Sequence, residues 1–201
     1  VIIMTEWERM QKGLVYNDFD QDLFNKRVEA KKLFKAYNKT EDEEIDLRNK
    51  IMKQLFKNVG ENVWIEPDFR CEFGKNITIG DNVYINFGCI ILDCSEVTIG
   101  FHTLLGPYIG LYAANHSTDA TERINGGCYG KPIHIGNNVW LGGDVKVLQG
   151  VTIGDNTIIG AGSIVTKDIP DNVIAVGNPC KVIRKITEED KTDYLERMGI
   201  K

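Results

Sequence analysis

The sequence predicts a mainly β protein built as a parallel β-helix with a helical segment in front of it, on three observations. The first is a period. Between Ile135 and Pro170 an aliphatic residue stands at every sixth position: Ile135, Leu141, Val147, Ile153, Ile159 and Val165. Four places after each comes a small or β-branched residue (Val139, Val145, Val151, Thr157, Ser163) or Ile169. A period of six is neither the 3.6 of a helix nor the 2 of a plain strand. It fits a solenoid coil with three flat sides of about six residues each, whose aliphatic side chains point inward and stack from coil to coil. The second observation is the Gly, Asn and Asp that follow each aliphatic position, where corners require a backbone these residues adopt cheaply. The third is a change of composition: residues 4 to about 57 are rich in Lys, Glu, Leu and Phe and nearly free of Gly.

Residues 1–58 therefore read as a helical segment. Thr5 with Glu8 and Thr40 with Glu43 fit the capping box, each opening a helix. Leu23, Phe24, Val28, Leu33, Phe34 and Tyr37 recur at roughly helical spacing, as do Ile45, Ile51, Met52, Leu55 and Phe56. Two or three helices are expected, covering an end of the solenoid that would otherwise leave apolar rungs and strand edges in water. The solenoid spans 59–185. It begins untidily near Val63 and is clear from Ile77. Ile79, Ile85, Ile91 and Val97 keep the beat, two residues are gained, and Ile99, Leu105 and Leu111 resume it. From about 112 to 132 the beat is lost. A stretch of that length inside a compact domain reads as an extruded loop, and one holding Asn115, His116 and Arg123 reads as functional. Pro170 and Pro179 bracket the last coil, which leaves carrying Lys181, Arg184 and Lys185. Residues 186–201 form a tail, with EEDKTDYLERM as a short exposed helix.

The 201 residues are enough for one domain with a real core. Hydrophobic residues make up 42% and charged residues 26%, with a net charge of −5, so the basic footprint that nucleic acid demands is missing. An anionic cofactor needs a local cluster of Lys and Arg. No apolar run approaches the roughly 20 residues of a membrane span. The five cysteines, Cys71, Cys89, Cys94, Cys128 and Cys180, form no CxxC pair. The opening VIIM is too short for a signal peptide and lacks its basic flank. A reduced, cytoplasmic chain is the expectation.

There are three histidines. His102 at a corner and His134 in a strand read as polar residues on the outside of a coil. His116 in the loop is evenly balanced between a solvated and a functional residue. The Gly142-Gly143 pair and the Asn of INFG read on their own as corner residues, and Asp18, Glu72 and Asp93 as solvated carboxylates. Thr166, Lys167, Lys181 and Arg184 read on their own as a solvated basic edge.

The segments WIEPDFRCEFGKNITIGDNVYINF, ANHSTDATER, KPIHIGNNVWLGG and GNPCKVIRK, together with the repeats, resemble the maltose/galactoside O-acetyltransferase family of hexapeptide-repeat acyltransferases. FRCEFG is more similar to the maltose branch, and the resemblance covers nearly the whole chain. It implies a left-handed parallel β-helix, an exception to right-handed crossovers. It also implies acetyl-CoA as co-substrate with no metal required, a small maltose- or glucose-like sugar as acceptor, and a cytoplasmic homotrimer with sites between subunits. By resemblance His116 is the general base and Asn86 stabilises the transition state. Asp18, Glu72, Asn86 and Asp93 hold the acceptor, with Arg27 a weaker candidate. Gly143 contacts the thioester region, Ala161 the pantetheine arm, and Thr166, Lys167, Lys181 and Arg184 the phosphates. Lys181 is an Arg in some relatives, which exchanges a bidentate fork for a point charge. Glu72, Cys94 and Cys128 depart from the galactoside branch, which leaves the acceptor open. Trp140 fits the pantetheine arm, the acceptor pocket or a subunit seam. Three rival readings stand beside this one. They are an acetyltransferase for a non-sugar or xenobiotic acceptor, a zinc lyase like the gamma-class carbonic anhydrases that share the fold, and a non-catalytic solenoid used for assembly.

Overall fold

The computed structural model describes residues 4–200. The expectation for the opening VIIM falls almost wholly outside them. Three helices come first: α1 (Glu6–Gln11), α2 (Gln21–Tyr37) and α3 (Ile45–Leu55), with a short strand β1 (Tyr16–Asn17) after α1. The solenoid then winds through three sides in turn. Its first coil is β2 (Asn58–Val59), β3 (Trp64–Ile65) and β4 (Arg70–Cys71). The second is β5 (Ile77–Ile79), β6 (Tyr84–Ile85) and β7 (Ile90–Leu92), and the third is β8 (Val97–Ile99), β9 (Leu104–Leu105) and β10 (Gly110–Tyr112). An excursion follows, with β11 (Asn115–His116), α4 (Ala120–Ile124) and β12 (Gly127–Tyr129). The winding resumes with β13 (Ile133–Ile135), β14 (Trp140–Leu141) and β15 (Lys146–Leu148), then β16 (Thr152–Ile153), β17 (Ile158–Ile159) and β18 (Ile164–Val165). It closes with β19 (Val173–Val176) and β20 (Lys181–Lys185), and the tail holds α5 (Tyr194–Arg197).

The first and third sides are five-stranded parallel sheets, and the second is seven-stranded with β20 antiparallel at its end. Register sets the core. On the second side Ile65, Ile85, Leu105, Leu141 and Ile159 are direct neighbours from coil to coil. On the third, Cys71, Ile91, Leu111, Val147 and Val165 do the same. All are buried, as are the intervening Val139, Val145, Val151, Thr157 and Ser163. Each flat side thus sends two residues inward per coil, which is why a six-residue beat carries a second marker four places on. The two residues gained after Val97 recur one coil earlier, as Ile77 and Ile79. They lengthen the corner between the third and first sides. At the corner between the first and second sides, Asn62, Asn82, Asn138, Asn156 and Asn172 take φ of 55–58°, and His102 takes the same place at φ 53°. Asn tolerates this left-handed backbone, and the side chains join in pairs: Asn138 Nδ2 donates to Asn156 Oδ1 at 3.0 Å and Asn156 Nδ2 to Asn172 Oδ1 at 3.1 Å.

The helices cover the first coil. Ala30, Phe34, Tyr37, Ile51, Met52, Leu55 and Phe56 share one core with Val63, Ile65, Phe69 and Cys71. Each large apolar side chain buried there contributes about 1.5–3 kcal/mol as an upper estimate. Tyr37 Oη donates to the Ile65 carbonyl at 2.6 Å, satisfying a strand edge that helix packing removes from water.

Two expectations are corrected. Thr5 and Glu8 form the capping box foreseen for α1, but Thr40 opens no helix. Its hydroxyl is buried, donates to the Tyr37 carbonyl at 2.7 Å and accepts from Arg48 Nε at 2.8 Å. It therefore closes α2 and anchors a buried arginine, while α2 is opened by Asp20 and α3 starts five residues after Thr40. The extruded loop expected at 112–132 is present and carries regular structure of its own. β11 and β12 form an antiparallel hairpin around α4, and β1 of the N-terminal segment adds to it in the order β1-β12-β11. The tail, too, is a 3-10 turn at Glu188–Asp190 plus the four-residue α5 rather than one helix.

Candidate active site

The lengthened corner between the third and first sides carries Glu72 and Asp93, and the excursion with His116 leaves from the same corner. Asp93 is fully buried. Its Oδ1 accepts from the backbone N–H of Glu72 (3.1 Å) and of Phe73 (2.8 Å), and its Oδ2 from that of Asn76 (3.2 Å). Burial pushes its pKa up to about 7 against the pull of these donors. An acceptor cannot reach it; in this chain Asp93 fixes the turn that presents Glu72. That differs from the direct acceptor contact expected of Asp93, and the cause is its burial beneath the 72–76 turn.

Arg27 of α2 ties the wall together. Its guanidinium pairs with the carboxylates of Asp18 and Glu72, donates to the Asp18 carbonyl at 3.1 Å, and lies 5.0 Å from the centre of the Phe73 ring. The weaker sequence candidate is thus the group that brings the two carboxylates together. Under this wall lies a small buried cluster of Met10, Tyr16, Leu23, Phe73, Cys94 and Cys128. Burial raises the thiols of Cys94 and Cys128, the latter to about 11, so both are neutral near pH 7.

His116 sits on β11 directly across from Cys128 on β12. Its ring Nδ1 lies 3.0 Å from Cys128 Sγ. Its backbone N–H donates to Asn115 Oδ1 at 2.9 Å, and Asn115 Nδ2 donates to Tyr129 Oη at 3.0 Å. Arg123 braces the loop by donating to the carbonyls of Ser117 and Thr118, each at 2.9 Å. The His116 side chain is exposed, and among the described residues Nε2 has no protein partner. The other two histidines behave as read: His134 Nδ1 lies 2.7 Å from Thr98 Oγ1 on the outer face of the first side, and His102 turns a corner. Among the described residues no three His, Cys, Asp or Glu side chains converge as a metal site would require. Nor is any helix there long and apolar enough to cross a membrane.

A second set of candidates lines a different corner, between the second and third sides. The backbone N–H groups of Asn86, Gly106, Gly142 and Gly160 each donate to the next coil, to Leu105, Leu141, Ile159 and Ala175 at 2.8–2.9 Å, so these four residues are coil-equivalent. The next position along is Phe87, Pro107, Gly143 and Ala161. The glycine pair divides in role. A Cβ on Gly142 would lie 2.7 Å from the Ala161 backbone nitrogen, so coil stacking alone requires glycine there. A Cβ on Gly143 would meet nothing closer than Pro107 Cγ at 3.4 Å, and its φ is not left-handed, so the fold does not require glycine. Among the described residues the N–H groups of Gly143 and Ala161 have no protein acceptor.

The expected phosphate residues fall in two places. Thr166 and Lys167 are exposed at the corner after β18, whereas Lys181 and Arg184 are exposed on β20 at the end of the second side. Arg184 is engaged: its NH1 and NH2 donate to Asp190 Oδ2 and Oδ1 at 2.9 and 2.7 Å, which holds the Asp190 pKa down to about 2. Trp140 is 51% exposed on the outer face of the second side, in register between Leu104 and Ile158. Sequence reasoning missed the Cys128–His116 contact. The two residues lie twelve apart in a stretch without a period, and only the hairpin pairs them.

This architecture, a parallel β-helix with helical end cap and an extruded hairpin, defines the class. A family profile described as the maltose acetyltransferase hexapeptide capping motif matches residues 9–60, and one described as the bacterial transferase hexapeptide (six repeats) matches residues 132–167. The galactoside O-acetyltransferase of Escherichia coli K12 is 46% identical over 189 residues, 94% of this chain and 93% of that protein. The crystal structure of a maltose O-acetyltransferase from Clostridium difficile 630 superposes with a TM-score of 0.89 at 47% identity, covering 92% of this chain and 99% of that one. A galactoside acetyltransferase in complex with coenzyme A superposes with a TM-score of 0.90 at 45% identity, covering 96% of both chains. The chain belongs to the maltose/galactoside O-acetyltransferase family of hexapeptide-repeat acyltransferases, and its solenoid is the left-handed β-helix of that family.

Proposed function

We propose that the protein transfers acetyl from acetyl-CoA to a hydroxyl of a small maltose- or glucose-like sugar by direct attack, with His116 as general base. The observation that carries this reading is the setting of His116: an exposed imidazole, contacted at Nδ1 only, beside the polar wall of Asp18, Arg27 and Glu72. Nε2 takes the proton of the sugar hydroxyl, and the oxygen attacks the thioester carbonyl. A tetrahedral oxyanion forms, the C–S bond breaks, and the leaving CoA thiolate takes the proton back from the imidazolium. The oxyanion needs fixed donors. The Gly143 N–H is a free one, and the Asn86 amide stands two coils away on the same corner. Asp18, Glu72 and Arg27 hydrogen-bond the sugar. When bound, acetyl-CoA supplies the activated acetyl group; its arm follows the corner past Ala161, with Thr166, Lys167, Lys181 and Arg184 for its phosphates.

Within one chain His116 and the Gly143 corner are separated by a whole flat side. The site is therefore built between subunits of a homotrimer, with Leu104 and Trp140 of the second side in the seam. The five unpaired cysteines suit a reducing, cytoplasmic setting. Release of free CoA from acetyl-CoA in the presence of maltose, glucose, a thiogalactoside, chloramphenicol and serine tests the reaction and the acceptor class. A rate with glucosides supports the reading. A rate confined to chloramphenicol or serine replaces the acceptor and keeps the mechanism.

A further inference from the structure

One nitrogen of the His116 ring is closed off. Nδ1 lies 3.0 Å from Cys128 Sγ, and Cys128 is only 4% exposed, held across from His116 by the pairing of β11 with β12. Ligand can therefore meet the ring at Nε2 alone. A neutral imidazole that accepts a proton at Nε2 must carry its own proton on Nδ1, and that N–H has the sulfur in front of it. We propose that Cys128 is a positioning residue for the base, its sulfur accepting the Nδ1 proton so that the lone pair of Nε2 faces the acceptor hydroxyl. This rests on the reading of His116 as the base.

The thiol differs in kind from the usual partner of a functional histidine. A carboxylate or carbonyl is a strong acceptor that both orients the ring and raises its basicity. Sulfur is a weak acceptor. It fixes the tautomer and the ring plane but stabilises the imidazolium little. The surroundings hold the thiol neutral. Asp18 and Glu72, both paired to Arg27, together with Tyr16 of β1 and Cys94, are the titratable and charged groups around it. Arg123 on the loop is spent on the Ser117 and Thr118 carbonyls. A neutral thiol can turn about its Cβ–Sγ bond and leave a lone pair toward Nδ1.

The tautomer is read directly by nitrogen NMR of protein labelled in its three histidines, with the His116 signals assigned by their loss in His116→Ala. Above its titration, His116 should show Nδ1 as the protonated, pyrrole-type nitrogen and Nε2 as the bare one. In Cys128→Ala the preference should revert to Nε2–H. Acetyl transfer by Cys128→Ala should fall roughly 10- to 100-fold in kcat, the scale on which outer partners of a functional histidine act. KM for acetyl-CoA should stay within about twofold. Cys128→Ser, whose hydroxyl also accepts, should recover most of the rate and move the acid limb of the pH profile upward. An Nε2–H tautomer in the native protein overturns the proposal, as does a Cys128→Ala enzyme with native kcat and pH profile. So does a Ser variant no better than Ala, since the side chain then only fills space. If Cys128→Ala does not fold, the tautomer of the native protein and the Ser variant decide. If His116→Ala keeps the native rate, the base reading itself falls; if it is inactive while Cys128→Ala is untouched, only the role of Cys128 does.

Discussion

Adding one methyl group at Gly142 or at Gly143 should separate folding from catalysis at adjacent positions. At Gly142 the new Cβ would stand 2.7 Å from the Ala161 backbone nitrogen and 3.1 Å from its Cα and from the Ile159 carbonyl oxygen. Comfortable carbon contacts begin near 3.5 Å, so the overlap is about 0.8 Å at the nitrogen and about 0.4 Å at each of the other two backbone atoms. None of them can rotate away, and the coils must part at the 2.8 Å bond from Gly142 N–H to the Ile159 carbonyl. Overpacking typically costs about 1–3 kcal/mol, and a backbone clash belongs at the upper end, near 3 kcal/mol. For a chain of this size that lowers the unfolding midpoint by about 6–12 °C. At Gly143 the Cβ is in ordinary contact with Pro107, and the loss of unfolded-state freedom should leave stability unchanged or raised by about 0.4–1 kcal/mol. Its methyl group nevertheless projects where the thioester is read to lie, so acetyl transfer should drop at least roughly tenfold, below the cost of losing an oxyanion donor outright. The assay is scanning calorimetry at one fixed protein concentration, because assembly makes the midpoint depend on concentration, paired with CoA release. A Gly142→Ala protein as stable as the native one would refute the coil-stacking account. A Gly143→Ala protein with full activity would refute the placement of the thioester.

Two further outcomes follow from the charges. Asp93 binds its proton more tightly in the folded chain: below about pH 4 both states hold it, and up to about 7 only the folded state does. Stability from this group therefore falls as pH rises through that window, and the unfolding midpoint of Asp93→Asn should lack that downward slope between pH 4 and 7. Asp190 occupies the fork of Arg184; Asp190→Ala should free it and tighten acetyl-CoA binding, measured by calorimetry, more at low salt than at high. Unchanged affinity would remove Arg184 from the phosphate site.

The solenoid was legible because its period is imposed by geometry. Each side sends the same two inward positions to the same neighbours, so Leu141 and Val139 carry as much information as the whole coil. The corner asparagines were legible for the same reason, and even His102 is explained by its place in the coil. What the sequence hid lies where no period operates. Thr40 looks like a capping residue, but the buried Arg48 and the end of α2 claim its hydroxyl. The hairpin of β11 and β12 hid because its strand partner, Tyr16–Asn17, lies about a hundred residues away in a different kind of segment. Arg27 is only a weaker candidate in the sequence; the fold alone puts it between Asp18 and Glu72. Asp93 shows the converse, a carboxylate whose motif was recognised while its burial was not.

The central claim is that His116 acts as a base in transferring acetyl to a sugar hydroxyl. It is tested most directly by CoA release from acetyl-CoA with maltose or glucose, native protein beside His116→Ala. The account predicts acceptor-dependent release by the native protein and a fall of about 10²- to 10⁴-fold in the variant, with acetyl-CoA still bound. Equal rates from the two proteins would contradict it.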